Sequence, residues 1–223
     1  MKIIISIVLL ILIAIQSIAQ NQLLIQATEM NDRMNVEQGY TKESVIEGSP
    51  YQDDNASNGI FFLKNKSVVE TPTKLNSYYN TFEYVANGKT YLIDGNTVDS
   101  VKIKNETYMF IPFKSDGKSM LKAVKIIDNH GDNGLYVYQG VEFKPEVRPA
   151  GYVDPKPARF EWIAPLYIIK IKDKIIVLNS FKELIALFPG KEAEIKKYIK
   201  GNGISINKVA KLEAFFKYVS QLQ

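Results

Sequence analysis

The chain has no cysteine, and it has one histidine and one tryptophan among 223 residues. Each shortage removes a class of chemistry. Without thiols there is no cysteine nucleophile, no thiol redox reaction, no iron–sulfur cluster and no thiolate zinc site. His130 alone would have to serve any serine–histidine–aspartate triad, and no G-x-S-x-G elbow presents a serine to it. P-loop, G-x-G-x-x-G and H-E-x-x-H patterns are missing too, so the nucleotide and zincin readings fail. Nor is charge of one sign in large excess. Lys and Arg number 28 against 24 Asp and Glu, a net +4 that is no nucleic-acid footprint.

What is present starts at the amino terminus. Met1-Lys2 leads into an apolar run of 13 residues interrupted only by Ser6, Ile3 to Ile15, followed by Gln16-Ser17-Ile18-Ala19-Gln20. A basic start, a short apolar stretch and small residues at 17 and 19 match a secretory signal peptide, residues 1–19. The run is shorter than the roughly 18 to 20 residues that cross a bilayer. An uncleaved anchor would have to place Gln16, Gln20, Asn21 and Gln22 in hydrocarbon. The expectation is an exported mature chain beginning at Gln20, with no transmembrane segment. Its place would be the periplasm, the outer membrane surface or the exterior.

Five stretches follow. Residues 20–58 are polar and turn-rich, a poorly ordered lead-in. Residues 59–144 carry eight β-like runs, rich in Val, Ile, Tyr, Phe and Thr: 59–64, 67–71, 80–86, 89–94, 97–103, 107–113, 119–127 and 135–144. Asn87-Gly88 separates two of them by two residues, the strongest short hairpin signal. Residues 145–165 hold five of the nine prolines and read as an extended connector. In 166–223, "LYIIKIKDKIIVLN" predicts a hairpin with strands covered on both faces. Three amphipathic helices follow, opened by the capping pair Ser180/Glu183, by "KEAEIKKYIK" closed at Gly201, and by Asn207. The fold class expected is α+β: an N-terminal antiparallel meander, small barrel or sandwich, then a hairpin with three short helices. Charge divides along the same line. Residues 20–150 carry 14 basic and 17 acidic side chains, residues 151–223 carry 13 and 7; that split marks two modules.

"GSPY" at 48–51, "ARF" at 158–160 and the ending from Leu187 to Leu222 resemble small exported proteins of Bacteroidetes-type bacteria, a family of no known function. The resemblance implies a cell-envelope location and supplies neither substrate nor catalytic residues.

Candidate chemistry is sparse. "DNHGDNG", Asp128 to Gly134, alternates Asp128, His130 and Asp132 as the early ligands of a calcium loop do. Calcium prefers oxygen, however, and no bidentate acid closes the loop. Zinc or copper would want further imidazoles. Flanking β residues make the stretch a hairpin turn. Glycan hydrolysis needs only two acids roughly 5–10 Å apart, and Asp53, Asp54, Glu83, Asp94, Asp99 and Glu142 are the candidates. Tyr78, Tyr79, Tyr84, Tyr91, Tyr108, Tyr136 and Tyr138 read as ordinary β composition, with interface use as the alternative. Lys170, Lys172 and Lys174 share a strand face by period 2, and Lys196, Lys197 and Lys200 crowd one helix; both rows could meet anionic surfaces. Asp99-Ser100-Val101 looks like a short O-glycosylation acceptor. Together these readings predict no catalytic residue, no metal and no cofactor. The expected protein is a non-catalytic binding or structural component of the bacterial cell envelope, its partner an envelope protein or a glycan. A carboxylate glycan hydrolase, or an adaptor using the basic C-terminal part, is the alternative.

Overall fold

The structure is a computed structural model that describes residues 28–29, 46–86, 88–115, 118–147 and 156–222. The signal-peptide reading, most of the lead-in, Asn87 and the middle of the Pro-rich stretch lie outside the described residues.

In chain order the strands are β1 (Thr28–Glu29), β2 (Ile46–Glu47), β3 (Ser57–Leu63), β4 (Val68–Asn76), β5 (Thr81–Ala86), β6 (Lys89–Leu92), β7 (Val98–Ile103) and β8 (Glu106–Ser115). They continue as β9 (Lys118–His130), β10 (Asn133–Tyr138), β11 (Val141–Lys144), β12 (Ala158–Trp162), β13 (Leu166–Ile171) and β14 (Lys174–Val177). Helices α1 (Phe181–Ile185), α2 (Glu192–Asn202) and α3 (Val209–Ser220) close the chain. An 11-stranded antiparallel sheet runs β1-β6-β5-β4-β3-β7-β8-β9-β10-β13-β14, and a 3-stranded sheet runs β11-β12-β2. The large sheet is two meanders joined where β7 pairs with β3. A ladder this long curls: the Ala123 amide of β9 donates to the Asn80 carbonyl before β5 (3.0 Å), tying one meander back onto the other.

The α+β expectation is corrected by this topology. The described chain is 49% strand and 19% helix, a β-rich fold rather than a balanced one. The cause is β13. It pairs with β10 from Gly134↔Lys170 to Tyr138↔Leu166, so the C-terminal hairpin extends the large sheet. Ile168 and Ile169 are both fully buried, as strands covered on both faces require. One face meets the helices in a core of Leu135, Ile169, Leu184, Ile195, Leu212, Phe215 and Phe216. The other joins Ile111, Val124, Tyr136 and Tyr138. A third core, with Phe61, Phe82, Val101 and Tyr108, fills the curl of the first meander.

The eight expected runs all hold strands, with one division. The run 135–144 breaks at Gln139-Gly140, and its halves, β10 and β11, go to different sheets. Inside the Pro-rich stretch, residues 158–162 form β12, which pairs with β11 from Val141↔Trp162 to Lys144↔Arg159. The caps also differ from expectation. Ser180 makes no side-chain cap bond, and Lys208 rather than Asn207 precedes α3. Helix α2 runs past Gly201 to Asn202 and stops at Gly203, whose φ of +56° is the left-handed cap conformation that glycine adopts without a Cβ clash.

Candidate cleft on the curled sheet

Residues two apart on a strand share a face, and Glu106 and Tyr108 on β8 do so. Tyr108 lies opposite Lys125 of β9 in the ladder. The three side chains therefore converge: Lys125 Nζ donates to Glu106 Oε1 at 2.8 Å, and the Tyr108 hydroxyl donates to Glu106 Oε2 at 2.5 Å. The same hydroxyl is 3.3 Å from Gln52 Oε1, which arrives on the segment before β3. Burial alone would raise the Glu106 carboxyl, but the hydrogen bonds from Lys125 and Tyr108 outweigh it and hold the group below the usual carboxylate range. Burial, reinforced by Glu106, pushes the Tyr108 hydroxyl far above its ordinary value, so it stays a donor.

Around this set opens a cleft of about 590 Å³, within the size range of small-ligand sites. Its apolar walls include Leu75, Ile126, Ile127, Val137, Tyr167 and Val209. A register shift explains why both isoleucines reach it. Leu135 pairs with Asp128 but Tyr136 with Ile126, leaving Ile127 as the extra residue of a bulge. Asn80, Asn105 and Gln139 add carboxamides to the lining, and Gln139 Nε2 is fixed on the Ile163 carbonyl at 2.7 Å. Ser77 lines the cleft as well; it is 1% exposed, and its Oγ has no hydrogen-bond partner among the described residues. A buried unmatched hydroxyl is costly unless something else satisfies it. Glu106 is the one carboxylate on the described lining, and Lys125 neutralises it. The cleft thus presents a net-neutral set of donors and acceptors beside an apolar wall. An adjoining groove of about 300 Å³ shares Gln52, Leu75, Glu106 and Tyr108 and adds Asp53 and Lys104.

The residues singled out from sequence lie elsewhere, apart from Tyr108. Asp53 pairs with Lys104 at 2.5 Å and Asp54 accepts from Ser49 at 2.5 Å. Asp94 caps a 3-10 turn, Asp99 faces Lys66 at 3.5 Å, and Glu142 binds Lys144 at 2.5 Å. Glu83 is 2% exposed on β5; its Oε1 is 3.4 Å from Asn76 Nδ2, and Tyr51 hydrogen-bonds to the carboxylate. No two of these acids face each other across the main cleft.

"DNHGDNG" is the β9–β10 hairpin turn. His130 pairs with Asn133 in the ladder, and Gly131 has φ +60°. The imidazole lies 3.1 Å from Asp128 and stacks on Phe216 of α3 at 5.8 Å, so it packs the hairpin against the helix. Among the described residues no group of three or more His, Asp or Glu is placed to hold a metal ion.

The tyrosines are largely core. Tyr84, Tyr108, Tyr136 and Tyr138 are all buried, and Tyr84 stacks on Tyr91 at 5.4 Å. Lys170, Lys172 and Lys174 do not share one strand face, because Lys172 turns the hairpin at φ +52°. Lys196, Lys197 and Lys200 form an exposed side of α2, and Ser100 is half-buried mid-sheet opposite Phe62.

Sequence reading missed Glu106, Lys125 and Ser77. One signal was available: Glu106-x-Tyr108 on one strand and Lys125 on the next place an acid, a phenol and an ammonium on the same pleat once the β8–β9 register is known. No helix among the described residues is long and apolar enough to cross a membrane. No family model, no curated protein and no solved structure matches the chain.

Proposed function

We propose that the protein is an exported, non-catalytic binding component of the bacterial cell envelope and that the cleft on β8–β10 is its ligand site. The observation that carries this reading is the convergence of Glu106, Tyr108 and Lys125 on a lining shared with the Ser77 hydroxyl, unmatched among the described residues, beside an apolar wall. A neutralised carboxylate–ammonium pair gives no net attraction to an ion. It offers acceptors and donors at fixed spacing, with carboxamides around them, and that chemistry suits a neutral polyhydroxylated ligand with an apolar face, a small glycan. Export through residues 1–19, read as a signal peptide, would bring the chain to where envelope glycans are. A partner protein that presents such a glycan would be held through the same cleft.

The test is saturation-transfer NMR of the mature protein against a panel of soluble bacterial oligosaccharides, with Lys125→Met and Val209→Trp as variants. Binding of one glycan class, weakened about tenfold by Lys125→Met through loss of one charge-assisted hydrogen bond and blocked by Val209→Trp, is expected. Signals unchanged in both variants would remove the cleft from the account. The hydrolase alternative needs two acids acting together; Asp53, one of its sequence candidates, lines the adjoining groove with Glu106, and chain cleavage abolished by both Asp53→Asn and Glu106→Gln would establish it instead. In-cell crosslinking of the tagged chain, followed by mass spectrometry, would identify the envelope partner.

A further inference from the structure

We propose a second, separate binding site at the tip of the β13–β14 hairpin, for a free single-chain anionic amphiphile. A pocket of about 490 Å³ lies there, and its lining divides in two. Ile171, Leu187, Phe188, Pro189 and Leu222 form an apolar floor, while Lys172, Lys174 and Lys191 stand on the rim with Asp173 as the single acid. Among the described residues, no uncharged polar side chain lines it. An apolar floor under a cationic rim is the complement of an alkyl chain carrying a carboxylate or phosphate head.

Local structure explains why the lysines converge. Ile171 and Lys174 are ladder partners, so Lys172 and Asp173 make a two-residue turn. Lys172 sits at φ +52°, and its amide is held by Asn133 Oδ1 at 3.0 Å. That bond fixes the turn against the β9–β10 hairpin, with Lys172 in the turn and Lys174 opening β14. Lys191 comes from the opposite wall, where the amide of Lys191 donates to the Phe188 carbonyl at 3.0 Å ahead of α2. Its ammonium also meets Glu194 at 3.1 Å, which offsets part of its charge and orients it at the rim. Lysine stems add apolar surface to the walls while their heads remain in water. Neither lysine row visible in the sequence contains this set; it mixes two members of one row with a residue from another element. None of these residues lines the cleft, so the inference does not rest on the glycan reading.

The experiment is isothermal titration of the full mature protein with dodecanoate below its micelle concentration. Dodecyl maltoside serves as the same chain with an uncharged head, and acetate as the head without the chain. The expected result is saturable one-to-one binding of dodecanoate alone. The triple variant Lys172→Ala/Lys174→Ala/Lys191→Ala should weaken it about tenfold, as three exposed charge contacts together allow. Leu222→Ser should weaken it too, by removing floor without touching charge. Equal binding of dodecyl maltoside, saturation by acetate, or full affinity in the triple variant would each overturn the proposal. So would the absence of saturable binding, or attachment only to phosphatidylglycerol vesicles, which would reveal a membrane surface as the partner.

Discussion

At the scale of single residues, Glu106 is the group on which the cleft turns. Its carboxyl is held below its usual value of 4.5 although burial opposes that, because Lys125 and Tyr108 bond to the charged form. A depressed folded-state value means stability that is present above the unfolded value and lost as pH falls through the folded one. Acidification below about 4.5 should therefore cost stability, in a window set by this carboxyl. Lys125→Met removes the strongest of the opposing bonds. The Glu106 carboxyl, followed by NMR titration, should then rise, and the acid-dependent loss should shrink by up to about 1 kcal/mol for a pair that is one-third exposed. A Glu106 titration midpoint unmoved by the substitution would show that Lys125 does not set the charge state of the site. None of this could be read from the sequence. Glu106 and Lys125 are 19 positions apart, and only the β8–β9 register makes them neighbours.

At the scale of elements, the sequence was informative wherever a rule is local. Eight β runs and the β5–β6 hairpin, closed at Ala86↔Lys89, follow from alternation and turn chemistry, and so do the stripes of α1 to α3 that bury Leu184, Ile195 and Phe216. Illegible features depend on distant partners. The break at Gln139-Gly140 depends on β12 being there to receive β11, and a run of prolines hides β12. The helix stops also deceived. Gly201 and Gly203 are both near the end of α2, but only Gly203 takes φ +56° and offers its amide to the carbonyl of Lys200 at 3.3 Å. Gly203→Ala must force a side chain into that left-handed conformation and should cost about 1 kcal/mol, whereas Gly201→Ala, inside the helix and facing open space, should stabilise by a similar amount. Chemical denaturation of the two variants checks the assignment. The reverse order, with Gly201→Ala the costly variant, would mean that the helix ends where the sequence alone puts it.

At the scale of the whole molecule, the decisive fact is one continuous ladder from β1 to β14, with cores on both sides of β13. Two independent modules would unfold separately; a shared sheet predicts that the helices and the first meander fail together. The tyrosines supply a probe of that coupling. Burial is the leading reason that the hydroxyls of Tyr51, Tyr84, Tyr108, Tyr136 and Tyr138 all lie above their ordinary value of 10.0. A raised value means that the folded chain holds these protons more tightly than the unfolded chain does. The associated stability is intact below 10.0 and drains away as pH climbs towards the folded values. Since Tyr84 and Tyr108 belong to one core and Tyr136 and Tyr138 to another, their ionisation reports on both. Phenolate absorbance from this group should stay low past 10.0 and then rise in a single step. Circular dichroism should show sheet and helix signals vanishing in that same step, although α1 to α3 carry none of these five tyrosines. Helical signal that survives the step would divide the chain into two units, with the C-terminal hairpin and helices as a module of their own.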